Sequence, residues 1–223
     1  MEMDAWFCGL GDYVDTMSPS NRKRLVAAGL YDTAMEVISE KCAELVNELY
    51  EEFLKPTTGR WLGMVHGHHH YPLVTGQTTD ELLASKLKTE YLNTSAFIRI
   101  PRADLTLYLH HGNGGGKLPG STLNRIYHTA SGLQGADIYI LGHDTKLGAT
   151  RLSRPFPVWG AKRADHHLEH RDIWLLSSGS FCKSNMIGKS DYAEQAGYTP
   201  SPVAASIITV DLTAKHDRIR VSI

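Results

Sequence analysis

No apolar run in this sequence is long enough to span a membrane. Residues 1–12, MEMDAWFCGLGD, hold no basic stretch followed by a long apolar one, so no signal peptide is expected. Cysteine is scarce and odd in number. Cys8, Cys42 and Cys182 lie far apart in apolar surroundings. That pattern argues against a disulfide framework and for reduced core residues in a cytoplasmic protein. Neither sign of charge dominates: 23 Lys and Arg stand against 24 Asp and Glu. A generic polyanion binder is thereby disfavoured, while a local basic patch stays open. Internal repeats and low-complexity linkers are absent as well, so the 223 residues are read as one domain, 1–223. An apolar content of 42% suffices for its core.

Strand-like and helix-like segments alternate early, and strands dominate late. Residues 5–10 (AWFCGL), 61–65, 95–100 (SAFIRI) and 105–111 (LTLYLHH) read as strands, as do ADIYILGH, DIWLLSSGS, ASIITVDL and RIRVSI. The break between SAFIRI and LTLYLHH, residues 101–104, is hairpin-like. Residues 32–54 carry apolar side chains at helical spacing (Met35, Ile38, Cys42, Leu45, Val46, Leu49, Phe53), and Pro56 follows. TTDELLASKL reads as a helix with Thr79 as its N-cap, and residues 121–130 as a further helix. The whole is a layered α/β domain.

What is abundant is histidine at strand ends. Four of the 12 histidines fall within residues 66–70, in VHGHHHY. An internal position excludes a purification tag. Three other strands also end in metal-ligand chemistry: FCGLGDYVD on Asp12 and Asp15, LTLYLHHG on His110 and His111, and DIYILGHD on His143 and Asp144. In open α/β sheets ligands bind beyond the carboxyl ends of the strands. One such end is usually a turn; four in one chain point to a site.

The order of these four resembles the calcineurin-like metallophosphoesterase family, whose motifs run Asp-x-His, Gly-Asp-x-x-Asp, Gly-Asn-His-Asp/Glu, His-Gly and Gly-His-x-His. Gly11-Asp12-Tyr13-Val14-Asp15 matches the second motif in full. Gly67-His68-His69-His70 stands where the third belongs, with His68 for Asn and His70 for the acid. His111-Gly112 matches the fourth, and Gly142-His143-Asp144-Thr145 the fifth except for Thr145. HHGNGGG, ADIYILGHD and the late DYAEQAGYTP are most similar to a phage-type subgroup.

The resemblance implies a two-sheet β-sandwich flanked by helices, a four-layer αββα arrangement that is N-terminally incomplete here. Only eleven residues precede Asp12, and Asp-x-His is not among them. Asp165-His166-His167 has suitable letters but follows the fifth motif. The implied metal ligands are Asp12, His68, His111 and His143, holding one or two divalent ions (manganese, iron or zinc). His69, with Asp15 from the matching motif, is the implied catalytic group: it contacts phosphate and protonates the leaving oxygen. The second metal keeps a donor at every position. The first metal loses Asp-x-His and, at Thr145, its last histidine. The implied activity is phosphodiester hydrolysis, on nucleic acid for example, weakened or lost with the first site. Homo-oligomers are expected, through an edge left beside residues 5–10 where Trp6 and Phe7 would be poorly buried. The rival from another class is a non-catalytic binding or structural protein of the same fold.

Other motifs carry less. GNGGGK lacks the Gly and Ser/Thr spacing of a phosphate loop. His166-x-x-Glu169-His170 fits a zinc-peptidase pattern if it lies on a helix. SSGS at residues 177–180 lacks nucleophile-elbow spacing. Arg22, Lys23 and Arg24 read as a solvated helix start or as contacts to a nucleic-acid backbone.

Overall fold

The computed structural model describes residues 5–114, 118–160, 166–182, 192–195, 197, 200–214 and 218–223. The chain divides into two compact units, residues 1–96 and 97–223. It is a mixed α/β protein. Among the described residues, no helix is long and apolar enough to cross a membrane.

In the first unit, strands β1 (Phe7–Gly9) and β2 (Trp61–Met64) pair in parallel, Gly9 opposite Met64. Helices α1 (Pro19–Ala28) and α2 (Asp32–Leu49) lie between them in sequence. Ser18 caps α1 by accepting the Asn21 N–H, and Gly29 ends it in the left-handed conformation. The apolar stripe of α2 seats Val46 in a core with Met64, Leu83, Ala84 and Leu87. The helix expected to run to residue 54 keeps α geometry only to Leu49, then widens into a π turn over Tyr50–Leu54. Pro56 lies just beyond and cannot donate to the carbonyl four residues back. Helix α3 (Thr79–Leu87) is capped by Thr78, not Thr79. Thr78 and Glu81 form a reciprocal capping box, while the Thr79 hydroxyl accepts the Tyr71 N–H.

The second unit is built on a five-stranded sheet of order β3-β4-β5-β7-β6. Its strands are β3 (Ser95–Ile100), β4 (Leu105–His110), β5 (Ile138–Leu141), β6 (Leu147–Trp159) and β7 (His166–Ser178). The division between the units falls inside β3. β4, β5 and β7 run parallel, and β6 returns antiparallel to β7. β5 is buried at every residue, as a continuous apolar run in a parallel sheet demands. Helix α4 (Pro119–Gly132) packs Leu123, Ile126 and Ala130 into a core with Tyr108, Tyr139, Ile173 and Leu175. A short helix α5 (Tyr192–Gln195) and an antiparallel pair, β8 (Ile207–Val210) and β9 (Ile219–Ser222), close the chain.

Two expectations are corrected here. The β6 strand was not anticipated, because Pro155 and Pro157 interrupt it; both sit on the outermost strand, where a missing ladder donor is tolerated. The residues of the peptidase pattern lie on β7, paired with β6, and not on a helix. Positions 166 and 170 are then about 13 Å apart along a strand, where the motif needs about 6 Å along a helix. Asp165 of the neighbouring Asp-x-His lettering and residues 115–117 of GNGGGK lie outside the described residues, as do residues 191, 196, 198 and 199 of DYAEQAGYTP.

Candidate metal centre

Because β1 and β2 are parallel neighbours, their carboxyl ends emerge together and carry two loops, residues 10–18 and 65–71. The loops are bonded along their length. The Tyr13 hydroxyl donates to the Val65 carbonyl at 2.8 Å, and burial holds that phenol's pKa well above its ordinary value. The Thr16 hydroxyl donates to the His69 carbonyl at 2.6 Å. Asp12 sits at φ 52°, next to Gly11 at φ 89°. Its carboxylate accepts the backbone N–H of His69 at 2.8 Å. A Cβ on Gly67 would collide with the Asp12 backbone nitrogen, so only glycine allows this approach.

Within this frame Asp15 and His69 meet. A carboxylate oxygen of Asp15 lies 2.6 Å from Nδ1 of His69. In the resembled motif the acid that holds this histidine comes from the following residue. Here that residue is His70, whose Nδ1 lies 2.9 Å from the Gly67 carbonyl. The carboxylate that meets His69 here is that of Asp15, from the other loop.

Arg22 takes a role that spacing did not reveal. Its Nη1 donates to the carbonyls of Met17 and His68, each at 2.9 Å, and to that of His70. This guanidinium belongs to the scaffold of the histidine loop, which it ties to the start of α1. His68 itself is half-buried.

The second unit repeats the logic. β4 and β5 are parallel neighbours, so His111 after β4 and His143 after β5 emerge at the same end. His143 Nδ1 lies 3.2 Å from His111 Nε2, the rings edge-to-face. Two imidazole nitrogens bound to one zinc-like ion at about 2.1 Å stand roughly 3.0–3.4 Å apart, so this pair fits a shared cation. His111 is buried and His143 exposed, the latter at φ 62°. The preceding His110 is not part of the pair. Its Nδ1 accepts the Gly112 N–H at 2.6 Å, and burial, followed by His111, lowers its pKa.

Asp144 and Thr145, which follow His143, meet other groups of the protein. Asp144 is buried and paired with Arg125 at 3.0 Å and Lys146 at 3.5 Å, and it accepts from the Thr122 hydroxyl. Thr145 is exposed, with its hydroxyl 3.4 Å from that of Ser201. A third group, unassigned by the sequence reading, gathers His66, His70 and Asp80 in the first unit. The described residues therefore include groups of histidine and aspartate able to hold a metal ion. No family model matches the chain, nor does any curated protein or solved structure.

Proposed function

We propose that this protein is a metal-dependent phosphoesterase that cleaves phosphodiesters slowly, nucleic acid among the candidate substrates. The proposed ligands of its divalent ion are Asp12, His68, His111 and His143, and the proposed fold is the helix-flanked two-sheet sandwich of the calcineurin-like enzymes. The carrying observation is the Asp15–His69 contact, set in a loop whose backbone is anchored by Asp12. A bound cation would supply charge neutralisation at the phosphate and a nucleophile at neutral pH. Asp15 fixes the ring of His69 by accepting its Nδ1–H. That leaves Nε2 to carry the proton given to the departing oxygen. Asp12 holds the His69 backbone, so the ring's position does not depend on the side-chain contact alone. The exposed Thr145, with its hydroxyl near Ser201, supports a chain with a reduced metal complement.

The test is hydrolysis of bis(p-nitrophenyl) phosphate with manganese, with bound metal counted in parallel. Slow turnover that Asp12→Ala abolishes, together with lower manganese content in His143→Ala, supports the reading. Metal binding without turnover would favour the non-catalytic alternative. Turnover indifferent to Asp12→Ala would overturn the ligand set and assign the hydrolysis to another source.

A further inference from the structure

We propose that His66, His70 and Asp80 form a separate divalent-metal site that takes a zinc-class ion and fastens the histidine loop to α3. One ligand atom from each of the three lies within 4.8 Å of those of the other two. They come from two pieces of the first unit: His66 and His70 from the loop after β2, and Asp80 from the first turn of α3. An ion bound there would cross-link the two. The family pattern gives His66 no role and expects an acid where His70 stands, so this group is independent of the ligands proposed above.

The donors are already oriented. Nδ1 of His70 lies 2.9 Å from the Gly67 carbonyl, an acceptor only, so this nitrogen carries the hydrogen and Nε2 the lone pair. Such a carbonyl partner is the usual support for a metal-ligating imidazole. His66 has its own partner, with Nδ1 2.5 Å from the Tyr91 hydroxyl. The two rings are tilted by 53°, with their centroids 3.9 Å apart. Asp80 Oδ2 accepts the Gly67 N–H at 2.8 Å. A carboxylate has about four acceptor positions, so coordination does not require that bond to break. Gly67 thus supports both flanks of the group, through its N–H to Asp80 and its carbonyl to His70.

Burial suits the group to a desolvated ion. Asp80 is 1% exposed, and a carboxylate held away from water attracts a cation more strongly than one at the surface. Two nitrogens and one oxygen suit zinc, cobalt(II) or iron(II) over magnesium or calcium.

The experiment uses the full chain, stripped with EDTA and titrated with zinc, with cobalt(II) as the spectroscopic probe. His143→Ala serves as the background, because it removes a ligand of the proposed catalytic ion and leaves this group intact. In that background one zinc should still bind and raise the melting temperature. Adding His70→Gln or Asp80→Asn should weaken zinc at least tenfold and abolish the cobalt(II) visible bands. X-ray absorption of the zinc-loaded background protein should show two imidazole ligands, a result that requires no further variant to fold. Zinc binding unchanged by His70→Gln and Asp80→Asn overturns the proposal, and so does an absorption spectrum without imidazole scattering. A chain with no diesterase activity that still binds zinc here would fail the catalytic reading and leave this one standing.

Discussion

The Asp15 carboxylate lies 2.6 Å from Nδ1 of His69, and the two residues come from loops following different strands. If this contact sets the tautomer of a proton donor, Asp15→Asn should lower kcat with little change in KM. A fall of about tenfold is expected. His69→Ala, which removes the donor itself, should cost about a hundredfold or more. Steady-state rates on a diester, compared with rates on one bearing an activated leaving group, would check this. A good leaving group needs little protonation, so its cleavage should resist both changes. Equal losses on both substrates would mean that His69 acts on binding and not on the leaving oxygen.

Arg22 donates to three backbone carbonyls from one nitrogen. Charge-assisted bonds of this kind contribute roughly 1.5–3 kcal/mol each to their acceptors' satisfaction, and they are not additive. Arg22→Ala should destabilise the protein by about 2 kcal/mol, measured by denaturant unfolding. Amide exchange should quicken in residues 67–71 before it does elsewhere. Lysine offers no planar fork, so Arg22→Lys should recover only part of the loss. A nucleic-acid contact would instead show as weaker binding with unchanged stability.

The sheet strands and the helical stripe of α2 were legible because their signals are local: runs of apolar residues and a repeat near 3.6. The two loop pairs were legible for a related reason, since each polar group follows directly on a strand and parallel neighbours must present their ends together. β6 was not, because Pro155 and Pro157 speak against a strand until its edge position is known. Thr78 and Thr79 are both good caps, and only the Tyr71 N–H, which occupies the Thr79 hydroxyl, decides between them. Arg22 and Asp80 were missed because their partners lie 46 and 13 residues away, Arg22 reaching the His68 carbonyl and Asp80 the Gly67 N–H. Spacing within a motif carries no trace of such partners.

Asp144 adjoins His143 in the linear motif, but in space it is the buried centre of a charge cluster with the part-exposed Arg125 and the buried Lys146. Removing it takes the carboxylate from Lys146, whose side chain is 8% exposed. Asp144→Ala should therefore cost about 3 kcal/mol or more in chemical denaturation. Asp144→Asn, which keeps the Thr122 contact, should cost less. Metal content should survive the Asn change, because this carboxylate is turned to cations of the protein. Loss of metal with full stability would return Asp144 to the ligand set.

Cys8 offers a pH test that avoids the proposed ligands. Burial pushes its thiol from 9.0 up to about 12. Tyr13 is the ionisable neighbour, and it too is held neutral by burial. An acid whose folded pKa is raised binds its proton more tightly folded than unfolded. Its contribution is complete below pH 9 and is lost as pH climbs towards 12. The denaturation midpoint should thus fall between pH 9 and 11, and Cys8→Ala should flatten that decline. The same burial makes Cys8 a poor nucleophile, because the thiolate is the reactive form. Cys182 is exposed and Cys8 only partly so, and a thiol reagent at pH 8 should modify Cys182 first. Labelling followed by peptide mass analysis would decide: modification of Cys8 as fast as that of Cys182 would mean that its thiol is not held in the neutral form.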